Sequence, residues 1–270
     1  MKTYIGTAGI PLSCKKRTTI DGINQVKTLG LDAFEIEFVR NIYLNNNSAK
    51  QIKIIAQNQN ISLSCHAPYY LNLASKTQSV INNSKNYIKN TLNIADICGA
   101  KIIVVHAGFY MDRTKKETYD LVKSACNEFE SKAKIGIETM GRQKQFGTIE
   151  EIAKLTEECN NVAPVIDFAH IHARGNGSIK TKKDFKNILD RFDNIGVKHM
   201  HCHMTGIHYE NGNEKHHLPI SSNEPDFRML ADVLKENDYN VTIISESPLI
   251  EDDALLFKSW LKKTNQIMSH

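Results

Sequence analysis

The chain has 270 residues, of which 41% are hydrophobic and 24% are charged, and its formal net charge is +4 at pH 7. These proportions are typical of a soluble globular protein with a substantial core, folded as one large α/β domain or two small ones. The mildly basic charge permits an anionic partner such as nucleic acid without requiring one.

The six cysteines are scattered along the chain with no CxxC pair, which argues against a disulfide scaffold and for reduced thiols. The first residues lack the charged and apolar regions of a secretory leader. No apolar run approaches the roughly 20 residues that a membrane-spanning helix needs. We therefore expect a soluble, cytoplasmic protein that does not bind membranes.

Short β-prone runs alternate along the chain with longer stretches of helical period. The predicted strands are residues 3–7, 33–38, 61–66, 101–106, 134–138, 162–167, 197–203 and 240–246. The predicted helices are residues 18–29, 47–58, 77–98, 114–132, 148–159, 180–193, 225–237 and 251–263. Thr148 and Glu151 have the spacing of a capping box, and Gly99 is placed to end the third helix.

This alternation predicts an α/β fold, a (β/α)8 TIM barrel in which residues 1–270 form a single domain. The alternative is a doubly wound open sheet, but the chain has no GxGxxG or Walker A motif for a nucleotide crevice. In a barrel, the carboxyl ends of all strands converge on one face. Three polar connections follow strand ends and are predicted to build the substrate site there: residues 39–46, 67–76 and 204–224.

Histidines and carboxylates recur where the predicted strands end. The nine side chains are His66, His106, Glu138, Asp167, His170, His201, Glu214, His216 and Glu246. Imidazole and carboxylate ligands together suit zinc and manganese. Because nine ligands exceed what one tetrahedral ion can use, they predict a cluster of two or three ions with at least one bridging carboxylate.

Several of these residues also have a purely structural interpretation. His66 and His106 could be core or capping histidines. Glu138 and Glu246 are harder to explain in that way, because a glutamate that ends an inward-facing strand needs compensation for its desolvation. Metal, arginine or lysine could supply it, and the other strand ends carry imidazoles rather than basic side chains.

Three histidines of the seventh strand, His199, His201 and His203, share one face, so strand alternation cannot choose between them. Tyr69 follows His66 and is either a core residue or an aromatic platform beside the site. Arg40, in the connection after the second strand, has the ordinary interpretation of a surface arginine.

Motifs along almost the whole chain resemble those of the endonuclease IV family of apurinic/apyrimidinic endonucleases, which are xylose-isomerase-like barrels. The motifs are CHAPYYLNLAS, VVHAG, GIETMG, VIDFAHIHARG, MHCHM, NEKHH and SESP, and the segments GIHYENGNEKHHLPI and SESPLIEDDAL resemble the archaeal branch. All nine family ligand positions find a metal-capable residue in order. The 13-residue step from His201 to Glu214 agrees with the family and favours His201 over its neighbours. Glu214 departs from the pattern, since the family usually has aspartate there.

The resemblance implies a trinuclear zinc site, with manganese as the alternative metal. It assigns His66, His106 and Glu138 to the first ion, Glu138, Asp167, His201 and Glu246 to the second, and His170, Glu214 and His216 to the third. Glu138 and Glu246 would be the catalytic residues that orient the attacking water. Tyr69 would contact the DNA minor groove, and Arg40 would lie close to the base stack.

The activity implied is metal-dependent cleavage of double-stranded DNA on the 5′ side of abasic sites, in base excision repair, by a monomeric enzyme. Two alternatives stay open. The first is a divalent-metal sugar isomerase or epimerase on the same barrel, which Glu138, Asp167, His201 and Glu246 could serve alone. The second is a catalytically weak, metal-bearing barrel that binds damaged DNA.

Overall fold

Eight parallel strands close into a barrel in the computed structural model, which describes residues 2–262. The barrel strands are β1 (Thr3–Ala8), β2 (Ala33–Glu37), β3 (Ser62–His66), β4 (Ile102–Val105), β5 (Lys134–Glu138), β6 (Val162–Asp167), β7 (Met200–Met204) and β10 (Val241–Ser245). Each strand pairs with its neighbour in the chain, and β10 pairs with both β7 and β1 to close the ring. The predicted TIM barrel is confirmed, and the open sheet is excluded.

The helices surround the barrel and lie close to their predicted positions. They are α1 (Thr19–Thr28), α2 (Asn46–Gln59), α3 (Gln78–Cys98), α4 (Lys115–Cys126), α5 (Ile149–Glu158), α6 (Phe168–Arg174), α7 (Lys182–Asp193), α8 (Phe227–Glu236) and α9 (Glu251–Lys262). Thr148 and Glu151 form the predicted capping box of α5. Gly99 ends α3 with a φ of 81°, a conformation that favours glycine. Within residues 2–262, no helix is long and apolar enough to cross a membrane.

Two elements differ from the sequence prediction. The short helix α6 follows β6 directly, because Asp167 caps it by accepting a hydrogen bond from the backbone N–H of His170. The connection 204–224 is predicted to be irregular but contains an antiparallel hairpin, β8 (Gly206–Glu210) and β9 (Asn213–Leu218). Asn211 and Gly212 join its strands with φ angles of 50° and 71°. An Asn-Gly pair with two positive φ angles is a strong hairpin signal.

The interior of the barrel is partly apolar and partly charged. Near β4, β5 and β6 it is filled by Ile102, Val104 and Val165. Gly136 is required beside them, since a Cβ atom there would lie 2.6 Å from Val165 Cγ2. The middle and carboxyl levels instead hold buried glutamates and histidines from β2, β3, β5 and β7. Strand alternation aims these polar side chains inward, and they surround the site described next.

Candidate metal centre

A cavity of about 720 Å³ opens at the carboxyl end of the barrel. Several of the predicted ligands reach it from different strands and connections. Its lining includes His66, His106, His170, Glu214 and Glu246, which the family resemblance distributes over all three ions. Barrel closure therefore brings together residues that are separated by up to 180 positions in the chain.

The first group consists of His66, His106 and Glu138, at the ends of β3 and β5 and just after β4. Glu138 Oε2 lies 2.8 Å from His106 Nε2 and 3.5 Å from His66 Nε2. Glu138 is completely buried, whereas His106 keeps some contact with solvent through the cavity. The structure thus places this predicted set around one point.

The second group is Glu138, Asp167, Glu246 and a histidine from β7. Their metal-binding atoms lie within 4.8 Å of one another, and the histidine is His203, not the predicted His201. His203 Nδ1 is 3.3 Å from Glu138 Oε1 and 3.3 Å from Glu246 Oε1. Glu138 therefore belongs to both groups, with one carboxylate oxygen directed to each.

The strand register explains why His203 and not His201 belongs to this group, whereas His201 joins Glu35 and His203 in a separate set that could also hold a metal ion. His203 is the β7 residue beside Asp167, while His201 lies beside Val165, two residues deeper in the barrel. Two strand residues span roughly 6.6 Å, which puts His201 below the level of Asp167. Its Nε2 atom instead lies 2.8 Å from Glu35 Oε2. The 13-residue spacing that favours His201 cannot reveal this depth.

Of the third predicted set, the structure brings His170 and Glu214 together but leaves His216 outside the site. Glu214 Oε2 lies 2.9 Å from His170 Nε2, so the glutamate points into the site rather than to solvent. His216, however, is exposed and its ring faces His208 across the hairpin, with the ring centroids 5.1 Å apart. The adjacent His217 lines the cavity, and its ring centroid is 5.9 Å from that of His170.

A β-bulge causes this exchange of His216 for His217. His208 pairs with His216, but Tyr209 pairs with Glu214, so Lys215 is an extra residue in β9. An extra residue reverses the alternation of side chains on the bulged strand. As a result, Glu214 and His217 face the cavity together. His217, and not the predicted His216, is the hairpin histidine that lies beside His170.

The spacing of these atoms suits bound metal better than hydrogen bonding alone. Two ligand atoms about 2.1 Å from a tetrahedral ion are about 3.4 Å apart, close to several of the separations given above. Three carboxylate oxygens here are buried and have no well-directed hydrogen bond: Glu138 Oε2, Asp167 Oδ2 and Glu214 Oε2. Each of the three oxygens lies within 3.4 Å of an imidazole nitrogen, and such buried carboxylates are costly unless a protonated imidazole or a metal ion compensates their charge. The residues present therefore fit a cluster of divalent ions.

Neighbouring charges shift the pKa values of several side chains in the cluster. Burial alone would raise the pKa of Glu138, but His106 and the other imidazoles around it hold this pKa well below its usual range. Burial is likewise outweighed at Glu214, where His170 and Arg142 help to lower the pKa to about 2. At His66, burial opposes the charged form, yet Glu37 and Glu138 raise the pKa to about 10. The site is thus a dense array of opposite charges.

Two glutamates on β2 were missed by the sequence analysis. Glu35 is completely buried and lies between His201 and His203, 2.8 and 2.9 Å from their Nε2 atoms. Glu37 lines the cavity beside His66 and has a buried Oε1 atom without a hydrogen-bond partner. Burial raises the pKa of Glu37 to about 8. The signal is present in FEIEF, where two glutamates interrupt an apolar strand as Glu138 does in β5.

The predicted DNA-contact residues lie at the rim of this cavity. Tyr69 is 52% exposed and lines the mouth, with its ring 5.7 Å from that of Tyr70. Arg40 is exposed on the neighbouring connection, which Tyr70 holds by donating a hydrogen bond to the Arg40 carbonyl oxygen at 2.6 Å. Val39, next to it, is exposed at the mouth with a φ of 25°, a strained conformation for a β-branched residue.

The fold and these residues define a class of protein, a TIM barrel whose carboxyl face carries histidine and carboxylate groups able to bind metal. Residues 23–264 match the family of xylose isomerase-like TIM barrels, and the chain belongs to that family.

Two relatives match this chain over most of its length. An uncharacterized protein of Methanocaldococcus jannaschii is 36% identical over 262 residues, covering 93% of this chain and 94% of that protein. A probable endonuclease 4 of Staphylococcus epidermidis is 27% identical over 201 residues, covering 70% of this chain and 67% of that protein.

Two solved structures share the fold at low sequence identity. A D-tagatose 3-epimerase-like protein aligns with a TM-score of 0.74 at 23% identity, over 97% of this chain and 96% of that one. Endonuclease IV from Thermus thermophilus aligns with a TM-score of 0.72 at 20% identity, over 96% of this chain and 100% of that one. Both an endonuclease and an epimerase-like protein are thus structural neighbours.

Proposed function

We propose that the protein is a metal-dependent phosphodiesterase that cleaves DNA on the 5′ side of abasic sites, an archaeal-type member of the endonuclease IV group acting in base excision repair. The observation that carries the proposal is the sharing of Glu138 between two ligand groups, with the His170–Glu214 pair directly beside them. A polynuclear site suits phosphodiester hydrolysis, in which both the attacking and the leaving oxygen need stabilisation.

Zinc, or manganese in its place, would be held by His66, His106 and Glu138, by Glu138, Asp167, His203 and Glu246, and by His170, Glu214 and His217. When bound, such ions supply an activated water at neutral pH and neutralise charge on the phosphate. Glu246 borders the cavity next to His203 and is placed to orient the water. Glu138 holds the groups together from the buried side.

The rim of the cavity fits a bent or opened duplex. Exposed apolar side chains stand on the connections after five strands: Leu12, Val39, Tyr69, Met111 and Leu249. Apolar wedges of this kind unstack base steps, and an abasic step has the least stacking to lose. Arg142 lines the cavity and Arg40 follows the lining residue Val39, and both would contact phosphates.

The proposal is tested with a labelled duplex that contains one tetrahydrofuran residue. Protein reconstituted with zinc or manganese should nick this strand, and an intact duplex of the same sequence should not be cut. Chelation should abolish nicking, and restored metal should recover it. Absence of cleavage by protein that carries two or three ions per chain would contradict the proposal.

A sugar epimerase or isomerase is the second candidate, and one observation favours it. Glu138, Asp167, His203 and Glu246 form a complete four-ligand site by themselves, and Glu37 adds to the cavity a carboxyl group that can hydrogen-bond a sugar hydroxyl. The same metal-loaded preparation should be incubated with ketohexoses and the products separated by chromatography. Epimerisation without nicking would replace the first proposal with this one.

A further inference from the structure

A second cavity, of about 650 Å³, opens at the opposite, amino end of the barrel. Four lysines surround it, from the starts of four different strands. Lys134 is the first residue of β5, and the other three directly or nearly precede strands: Lys2 before β1, Lys101 before β4 and Lys198 before β7. The proposed nuclease or epimerase site makes no use of this end of the molecule.

The cavity is positively charged and has no acidic residue in its lining. In residues 2–262, none of the four lysines forms an ion pair with a carboxylate. Lys101 Nζ instead lies 5.9 Å from the ring centroid of Tyr4, and Lys134 donates a hydrogen bond to the Asn160 carbonyl oxygen. Other lysines of the described residues are also without an acidic partner, but these four converge on one cavity.

The field of these lysines reaches the groups inside the cavity. His199 lies at its wall, where burial first and then Lys101, His201 and Lys2 lower its pKa. The nearest buried carboxylate, Glu35, does not line the cavity. It is covered by the cavity-lining residues Ser64 and His201, whose Oγ and Nε2 atoms lie 2.6 and 2.8 Å from its Oε2. The floor therefore presents little negative charge to a ligand.

Neutral hydrogen-bonding groups complete the lining. The hydroxyls of Tyr4, Ser62 and Thr242 and the amide of Asn240 are among the lining residues, and Thr242 Oγ1 is 2.8 Å from His199 Nε2. Cavities of roughly 300–1,000 Å³ with a few convergent polar groups are the usual size of small-ligand sites. Ammonium groups around hydroxyl and imidazole donors match the oxygens of a phosphate group.

We propose that this cavity is a binding site for a small phosphorylated anion, separate from the metal centre. Its concave shape and volume suit a small molecule better than a nucleic-acid duplex. The buried row of His201, Glu35 and His203 runs from this cavity, which His201 lines, to the metal centre, to which His203 belongs. Contacts between titratable side chains therefore connect the two ends of the barrel.

Inorganic pyrophosphate is a suitable probe, titrated into the metal-loaded protein by calorimetry. Since pyrophosphate could also bind the metal centre, four proteins are compared: wild type, the double variant Lys101→Ala/Lys198→Ala, the double variant Lys15→Ala/Lys16→Ala, and Glu138→Gln. Lys15 and Lys16 are exposed lysines in the connection after β1, at the opposite end of the barrel. Their double variant loses two positive charges, as Lys101→Ala/Lys198→Ala does, and therefore serves as the matched control.

We expect Lys101→Ala/Lys198→Ala to weaken one pyrophosphate site at least ten-fold, because each lost ammonium removes a charge-assisted hydrogen bond. That site should persist in the Lys15→Ala/Lys16→Ala protein and in Glu138→Gln. Binding that disappears in Glu138→Gln but survives in Lys101→Ala/Lys198→Ala would assign the anion to the metal centre and overturn the proposal. The absence of any pyrophosphate binding would overturn it too.

A second measurement does not depend on a variant. Wild-type protein is acetylated briefly with and without pyrophosphate, and the modified lysines are quantified by mass spectrometry. Lys101 and Lys198 should be protected, while Lys15 serves as the internal control. Equal acetylation in both samples would contradict the proposal. Neither result depends on whether DNA is cleaved, so this proposal and the proposed function can fail separately.

Discussion

Glu138→Gln is the most informative change to the metal centre, because it keeps the shape of the side chain and removes its charge. One oxygen of Glu138 lies 2.8 Å from His106 and 3.5 Å from His66. The other lies 3.1 Å from His170 and 3.3 Å from His203. An amide has only one oxygen, so one of these two pairs of imidazoles must face an NH2 group that cannot bind metal.

The size of the effect follows from the burial of the residue. Electrostatic groups act more strongly in a buried, water-excluded site than in water, and removing one of them typically costs roughly 10²–10³-fold in turnover. We also expect at least one equivalent of metal to be lost per chain.

The assay combines elemental analysis with turnover on the tetrahydrofuran duplex. Glu130→Gln is the matched control, since Glu130 is exposed and distant from the cluster. It should keep the metal content and turnover of the wild type. If Glu138→Gln also kept its metal and stayed within a few-fold of wild-type turnover, the bridging role inferred from the geometry would be refuted.

Four further outcomes are expected. His203→Ala should remove metal and activity, whereas His201→Ala should leave the metal content near that of wild type. Equal metal loss in both variants would contradict the inference that only His203 lies at the level of Asp167. Glu214→Asp should reduce occupancy of the third ion site, because shortening the side chain by about 1.5 Å withdraws the carboxylate from its imidazole partner; unchanged metal content would contradict this. Tyr69→Ala should weaken binding of abasic DNA in a gel-shift assay with metal content unchanged, and unaltered affinity would leave the ring a packing role. Glu251→Gln should lower the free energy of unfolding by about 1.5–3 kcal/mol at pH 7, since this buried carboxylate accepts hydrogen bonds from two backbone N–H groups at 2.8 and 2.6 Å. These bonds lower the pKa of Glu251 in the folded protein despite its burial. The contribution of the carboxylate to stability is therefore present above the ordinary glutamate pKa and is lost as the pH falls through the lowered pKa. In urea unfolding, the difference in stability between wild type and Glu251→Gln should shrink below about pH 4.

Much of this protein could be predicted from its sequence, because the relevant signals are local. Strand and helix periods, the capping box at Thr148 and the stop at Gly99 depend on residues a few positions apart, and they are sufficient to predict a TIM barrel. The position of ligands at strand ends also predicts a site on the carboxyl face. Closure of the barrel converts that one-dimensional pattern into a cluster.

What the sequence left undecided depended on register and depth. His201 and His203 have the same side-chain direction, and only the pairing of β7 with β6 places His203 at the level of Asp167. A bulge in β9, formed by pairing across the hairpin, exchanged His216 for His217. Adjacent or alternate residues look equivalent in a linear pattern, since the choice between them is made by inter-strand hydrogen bonds. Only the tertiary structure could also collect four lysines from four strand starts around one cavity, because their proximity requires the closed barrel.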